Sequence, residues 1–177
     1  MDEFSLYILD ITMNSVRAGA SQIEIALREV GEWLWFTVTD NGCGMTRAQV
    51  EKLKNPFFTT RKTRKVGLGV PLFKMEAEMT GGSFQIDSEE GEGTKVTAVF
   101  RPSHVDMIPL GDIASVIHLL ITCNPELDFL FTHSVEKKEI TLDTRTLREQ
   151  LEGVPFTEPA VSAWIREYLA EAEEELK

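Results

Sequence analysis

Residues 40–45 read DNGCGM, and residues 56–72 read PFFTTRKTRKVGLGVPL. Two glycine turns, Gly42-Cys43-Gly44 and Gly67-Leu68-Gly69, flank a segment that carries Arg61, Lys62, Arg64 and Lys65. No acid occurs between residues 54 and 65, although the chain as a whole has a net charge of -11. Glycine lets backbone approach a ligand closely and take up positive φ. Successive N–H groups in such turns form concavities for anionic oxygens, and helix N-termini add dipoles of the right sign. DNG alone is an ordinary turn signal, and a basic run is ordinarily a solvated face. What distinguishes this stretch is its order: strand, acid, glycine turn, helix, aromatic-Thr-Thr, basic run, GxG, helix. It reads as a site for an anion.

Upstream, residues 33–40 (WLWFTVTD) form a strongly β-prone run that ends on Asp40. Residues 21–30 (SQIEIALREV) alternate as its partner across a Gly31-Glu32 turn. Residues 4–17 have helical apolar spacing and stop at Gly19, near the position where glycine is favoured. Asp10 and Asn14, four apart on that helix, share a face. Both are poor helix-interior residues, so they look either at solvent or into a site.

Downstream, Thr46 is a candidate N-cap with Gln49 three residues later. Pro71 suits a first helical turn, and the helix after it closes at Gly81-Gly82. Residues 83–88 and 94–100 alternate as two further strands joined by EEGEG. Helix, two strands, helix, loop, helix and two strands predict an α+β fold: a two-layer α/β sandwich, with a mixed sheet and its helices on one face.

The remainder differs in pattern. Residues 109–123 predict an apolar helix, 127–134 and 137–143 a hairpin, and 144–152 and 158–176 two more helices. The last of these ends on Glu171, Glu173, Glu174 and Glu175, which oppose the helix dipole, so its end is expected to fray. The chain divides on this reading into a domain over 1–102 and a small C-terminal helix-hairpin-helix appendage over 103–177.

A length of 177 residues, 42% hydrophobic and 27% charged, suits a globular chain of ordinary size. No apolar run approaches the roughly 18 residues a membrane span needs. The acidic opening MDEFSLYILD is unlike a secretory signal. Cys43 and Cys123 make neither a disulfide framework nor a zinc motif. A cytoplasmic location is expected. The acidity argues against nucleic acid and against anionic membranes as partners.

The residues resemble the GHKL superfamily of ATP-binding domains, found in histidine kinases, anti-sigma-factor kinases, gyrase, mismatch-repair and heat-shock ATPases. The resemblance rests on five boxes in order: LDITMNSVRAGA at 9–20, DNGCGM at 40–45, PFFTTRK at 56–62, VGLGVPL at 66–72, and TGGS…GEGT over 80–94. It covers about residues 4–100 and nothing beyond.

The resemblance implies ATP and Mg2+ as ligands. Asn14 would coordinate the magnesium. Asp40 would accept from the adenine amino group, and Gly44 would let the base lie against backbone. Thr94 would reach the base, directly or through water. Gly42, Met45, Phe57, Thr59, Thr60 and Leu68 would line the nucleotide. Lys62, Arg64 and Lys65 would neutralise phosphates, to which Gly67 and Gly69 present N–H groups. Asp10 stands where the family's ATPases place a water-activating Glu, one methylene longer. Arg17 replaces an acid of the mismatch-repair branch. The short loop between the aromatic box and the second glycine box is closer to the histidine-kinase and anti-sigma branch.

The implied function is to bind Mg-ATP and hydrolyse it, or transfer its γ-phosphate to a protein partner. The alternative is a non-catalytic ATP-sensing module. The sequence leaves the role of residues 101–177 open between docking a partner and dimerising the chain, and its apolar helix 109–123 is expected to pack on the main sheet or the hairpin. Of the histidines, His104 only faintly resembles a kinase histidine box, His118 belongs to a core edge, and His133 lies in a strand with no visible partner.

Overall fold

A computed structural model describes residues 3–55 and 69–177. Helix α1 (Phe4–Arg17) buries Phe4, Tyr7, Ile8 and Ile11 on one stripe, as its spacing dictates. Strands β1 (Gln22–Val30) and β2 (Trp33–Asp40) form a hairpin whose turn residue Gly31 has φ +59°. Helix α2 (Arg47–Lys54) opens on a capping box: Thr46 Oγ1 accepts from Gln49 N, and Gln49 Oε1 accepts from Thr46 N. Helix α3 (Gly69–Met79) carries Pro71 in its first turn. Strands β3 (Ser83–Glu89) and β4 (Gly93–Phe100) complete the stretch that the five boxes cover.

Beyond it run α4 (Ile113–Cys123), β5 (Asp128–Val135), β6 (Lys138–Asp143), α5 (Thr144–Leu151) and α6 (Pro159–Leu176). The six strands form one sheet in the order β3-β4-β2-β1-β5-β6. β1 is antiparallel to β2 and parallel to β5, so the sheet is mixed. Alternation puts Ile23, Ile25 and Leu27 of β1 beside Leu34, Phe36 and Val38 of β2 on the buried face. Glu24, Arg28 and Trp35 point to the open face. The predicted two-layer sandwich is what forms.

An aromatic cluster joins the two layers. Phe4 makes edge-on contacts with Phe36, Phe73 and Phe100 at centroid distances of 5.4, 5.6 and 5.1 Å. Each such pair contributes about 0.5–1.5 kcal/mol beyond area burial. Buried residues from both sides of residue 102 belong to one hydrophobic cluster, because α4 packs on α1 and α6 while β5 pairs with β1.

Three expectations are corrected. α4 starts at Ile113 and not at residue 109, because Gly111 takes φ +74° and Asp112 caps Ser115 N at 3.0 Å. Pro109 and Leu110 instead present their carbonyls to the N–H groups of Phe4 and Ser5, satisfying the open start of α1. The acidic end of α6 stays helical to Leu176, which is buried. There Glu173 binds His133, and Lys138 Nζ donates to the Glu175 carbonyl at 3.2 Å. His133 is therefore not without partners: it sits between Glu29 and Glu173.

Candidate nucleotide site

The end of β2 delivers Asp40 to the buried face, and the backbone there turns sharply. Asp40 Oδ1 accepts from Gly42 N at 2.8 Å, and Oδ2 accepts from Ser15 Oγ on α1 at 2.5 Å. The carboxylate is thereby fixed between a glycine turn and a helix. Asn41 clips the turn to the start of β1, its Oδ1 accepting from Ser21 N and Gln22 N at 2.8 and 3.0 Å. Gly42 packs on Ala18, where a Cβ would lie 2.8 Å from the Ala18 Cβ. Gly44 has φ +70°, and a Cβ there would overlap the Glu89 carbonyl. Both glycines are demanded by close approach.

Asp40 pairs with Thr94 across β2 and β4, and Thr94 pairs with Ser88 across β4 and β3. Ser88 Oγ lies 2.7 Å from Thr94 Oγ1, accepts from Met45 N at 2.8 Å and donates to the Gly93 carbonyl at 3.1 Å. A cavity of about 550 Å3 opens beside this row, lined among others by Asp40, Val50, Lys54, Ile86, Ser88 and Thr94. That volume suits a nucleotide-sized ligand.

Asp10 and Asn14 lie on the α1 side, outside the lining of that cavity. Asn14 Oδ1 accepts from an Arg17 guanidinium nitrogen at 2.6 Å. Asp10 Oδ2 is buried without a hydrogen-bond partner among the described residues. It rests against the first residue of α3, where a Cβ on Gly69 would overlap it. Burial raises the Asp10 pKa above the usual carboxylate value, and the charge of Arg17 offsets part of that rise. Phe57, Thr59, Thr60, Lys62, Arg64, Lys65, Gly67 and Leu68 lie outside the described residues.

Residues 2–104 match the family described as histidine kinase-, DNA gyrase B- and HSP90-like ATPase. The chain belongs to that family. This member carries the family's ATP-binding domain over the matched residues. It is 31% identical over 98 residues to sensor histidine kinase ZraS of Escherichia coli (strain K12), a match covering 54% of this chain and 21% of that protein. Over 89 residues it is 29% identical to a probable C4-dicarboxylate sensor kinase of Bacillus subtilis (strain 168), covering 50% of this chain and 17% of that protein. The chain thus spans about a fifth of the length of these relatives. Among solved structures, the Aquifex aeolicus MutL ATPase domain complexed with ADP superposes with TM-score 0.52 at 16% identity, covering 86% of this chain and 68% of that one. The N-terminal domain of a DNA repair protein gives TM-score 0.55 at 15% identity, covering 81% and 53%. These two likenesses concern the fold, and each covers more of the chain than residues 2–104 make up.

Sequence reasoning missed Ser15 and Ser88. Ser15 adjoins Asn14 in the first box, and Ser88 precedes the EEGEG turn. Both sit next to motif residues, which is the only signal the sequence offered.

Proposed function

We propose that this domain binds Mg-ATP and turns it over, with Asp10 as general base, either releasing phosphate or passing it to a protein partner. The observation that carries the proposal is the Asp10 carboxylate. It is half-buried, raised in pKa by burial, leaves Oδ2 unpartnered among the described residues, and lies one helical turn from Asn14. A general base needs a pKa nearer working pH than an exposed carboxylate has, and a free lone pair for its water. Asp10 has both.

Asp40 accepts a hydrogen bond from the exocyclic amine of adenine, and Ser15 and Gly42 hold its carboxylate for that purpose. Thr94 supports the base from the next strand. Gly42, Gly44 and Met45 form the floor turn. By the family resemblance, Lys62, Arg64, Lys65, Gly67 and Gly69 serve the phosphates, and Phe57, Thr59, Thr60 and Leu68 line the same site.

The donor set fits magnesium. Asn14 offers a hard amide oxygen, and the described residues contain no cluster of three or more His, Cys, Asp or Glu that would hold a metal alone. Magnesium is commonly held by one or two protein oxygens together with phosphates and water. When bound it neutralises phosphate charge. A cytoplasmic setting is part of the proposal; among the described residues no helix is long and apolar enough to cross a membrane.

One observation favours a second reading, a non-catalytic ATP sensor. The Asn14 oxygen is already engaged by Arg17 at 2.6 Å. A cation held at Asn14 would compete with that guanidinium, and release of Arg17 would be the signal passed to a partner or to a second copy.

Turnover of γ-labelled ATP with magnesium decides between these, with free phosphate and protein-bound label counted separately. Phosphate release that disappears in Asp10→Ala supports the ATPase. Label on an added protein supports transfer. Binding without either product supports the sensor.

A further inference from the structure

The sheet places Ser88, Thr94 and Asp40 side by side on β3, β4 and β2, on the face that lines the cavity. From their contacts we infer that Ser88 fixes the direction of the Thr94 hydroxyl, making the base end of the cavity acceptor-only and selective for a nucleobase that presents a 6-amino group. The inference rests on the nucleotide reading above.

A serine hydroxyl has one proton and two lone pairs. The Met45 N–H occupies one lone pair of Ser88 at 2.8 Å. The Gly93 carbonyl, at 3.1 Å, can only accept, so it takes the Ser88 proton. The remaining lone pair faces Thr94 Oγ1 at 2.7 Å, and Thr94 must donate into it. The reverse order, with Ser88 donating to Thr94, leaves the Gly93 carbonyl without this bond. Only one arrangement satisfies all three contacts, and it spends the Thr94 proton inside the protein.

Thr94 then faces the cavity with lone pairs alone. Its cross-strand neighbour Asp40 is also an acceptor, and Ser15 and Gly42 already donate into its two oxygens. A 6-amino group brings two N–H donors to this pair of acceptors. A 6-oxo group brings a third acceptor and is refused. Ser88 is thus a positioning residue, acting on the base through Thr94.

The test compares dissociation constants of ATP and O6-methylinosine triphosphate, which exchanges the 6-amino donor for a 6-oxygen acceptor while, unlike inosine, keeping N1 an acceptor. Calorimetry is run on the full chain and on Ser88→Ala, Ser88→Thr and Thr94→Val. The wild type should prefer ATP. In Ser88→Ala the Thr94 hydroxyl is free to turn and donate, so the preference should shrink at least about fivefold, the equivalent of roughly one neutral hydrogen bond. Ser88→Thr keeps the hydroxyl and should restore the preference. Thr94→Val removes both the acceptor and the clash, and should also shrink it.

An unchanged preference in folded Ser88→Ala overturns the inference while leaving the nucleotide reading in place. Should Ser88→Ala fail to fold, an unchanged preference in Thr94→Val overturns it equally. A wild-type chain that binds neither triphosphate overturns the nucleotide reading and this inference together.

Discussion

His133 on β5 holds Glu173 on α6 through a 2.8 Å contact between Nδ1 and Oε2, in a site where the imidazole is only 3% exposed. Its Nε2 meets Glu29 Oε2 on β1 at 2.7 Å. Burial alone would lower the imidazole pKa from 6.5, but hydrogen bonds and charge from the two glutamates outweigh it and raise it to about 9. The ring is therefore an imidazolium at neutral pH, donating from both nitrogens.

A raised histidine pKa contributes stability that is complete below the unfolded value of 6.5 and is lost as pH rises through about 9. The contribution is on the order of 3 kcal/mol. Thermal melts of the wild type should fall between pH 7 and 9.5, and those of His133→Gln should start lower and fall less over the same range. Parallel curves would remove the ion-pair account of how α6 stays docked.

Asp40 and Ser15 offer a binding prediction. Asp40→Asn should weaken ATP and ADP but leave tripolyphosphate binding unchanged, because the contact assigned to Asp40 is with the base. Ser15→Ala removes a 2.5 Å hydrogen bond to the carboxylate and should weaken ATP roughly tenfold or more. Calorimetry with all three ligands checks both. Equal loss of tripolyphosphate would place Asp40 near the phosphates instead.

The burial of Asp10 makes the pH dependence of turnover informative. Its pKa is raised, and its working form is the carboxylate. ATP hydrolysis should therefore decline on the acid side at a pH above that of an ordinary aspartate, and Asp10→Asn should abolish that limb along with most turnover, by about 10²-fold or more. A pH–rate profile of both proteins measures this. An unchanged acid limb in the variant would assign the base elsewhere.

Gly69 and Gly44 are tight for different reasons. A Cβ at Gly69 meets a side-chain carboxylate, whereas a Cβ at Gly44 meets backbone and also requires a left-handed φ. Gly69→Ala should leave the melting temperature nearly intact while reducing turnover by displacing Asp10. Gly44→Ala should destabilise the chain by about 1–3 kcal/mol. Melting curves and turnover, measured side by side, separate the two.

What the sequence made legible follows from the range over which each signal acts. The alternation in WLWFTVTD and the capping box at Thr46 are local, and both elements form as read. The C-terminal hairpin was also readable, but alternation cannot say which sheet edge a hairpin joins. Its parallel pairing with β1 depends on the fit of Phe129 and Phe131 to the same core as Ile23 and Ile25. Glu29 and Glu173 meet His133 from 104 and 40 residues away, and no spacing rule connects them. Ser15 and Ser88 read as ordinary hydroxyls, because their roles exist only once α1, β3 and β4 surround the end of β2. At residue 109 the apolar run misled, since Gly111 and the Asp112 cap reset the helix start.

The pairing of Gln22 with Asp128 orders events in time as well as in space. As the chain leaves the ribosome, β1 and β2 can pair at once, but the other edge of β1 stays bare until β5 emerges about a hundred residues later, while synthesis proceeds at roughly 5–20 residues per second. For those seconds the centre of the finished sheet is its exposed margin, and margins of this kind recruit foreign strands. The open-face side chains of β1 include Glu24 and Arg28, charges carried by the strand whose edge is then bare, and charge on an edge strand disfavours foreign pairing. The charges that face solvent in the folded protein thus also guard the half-made one.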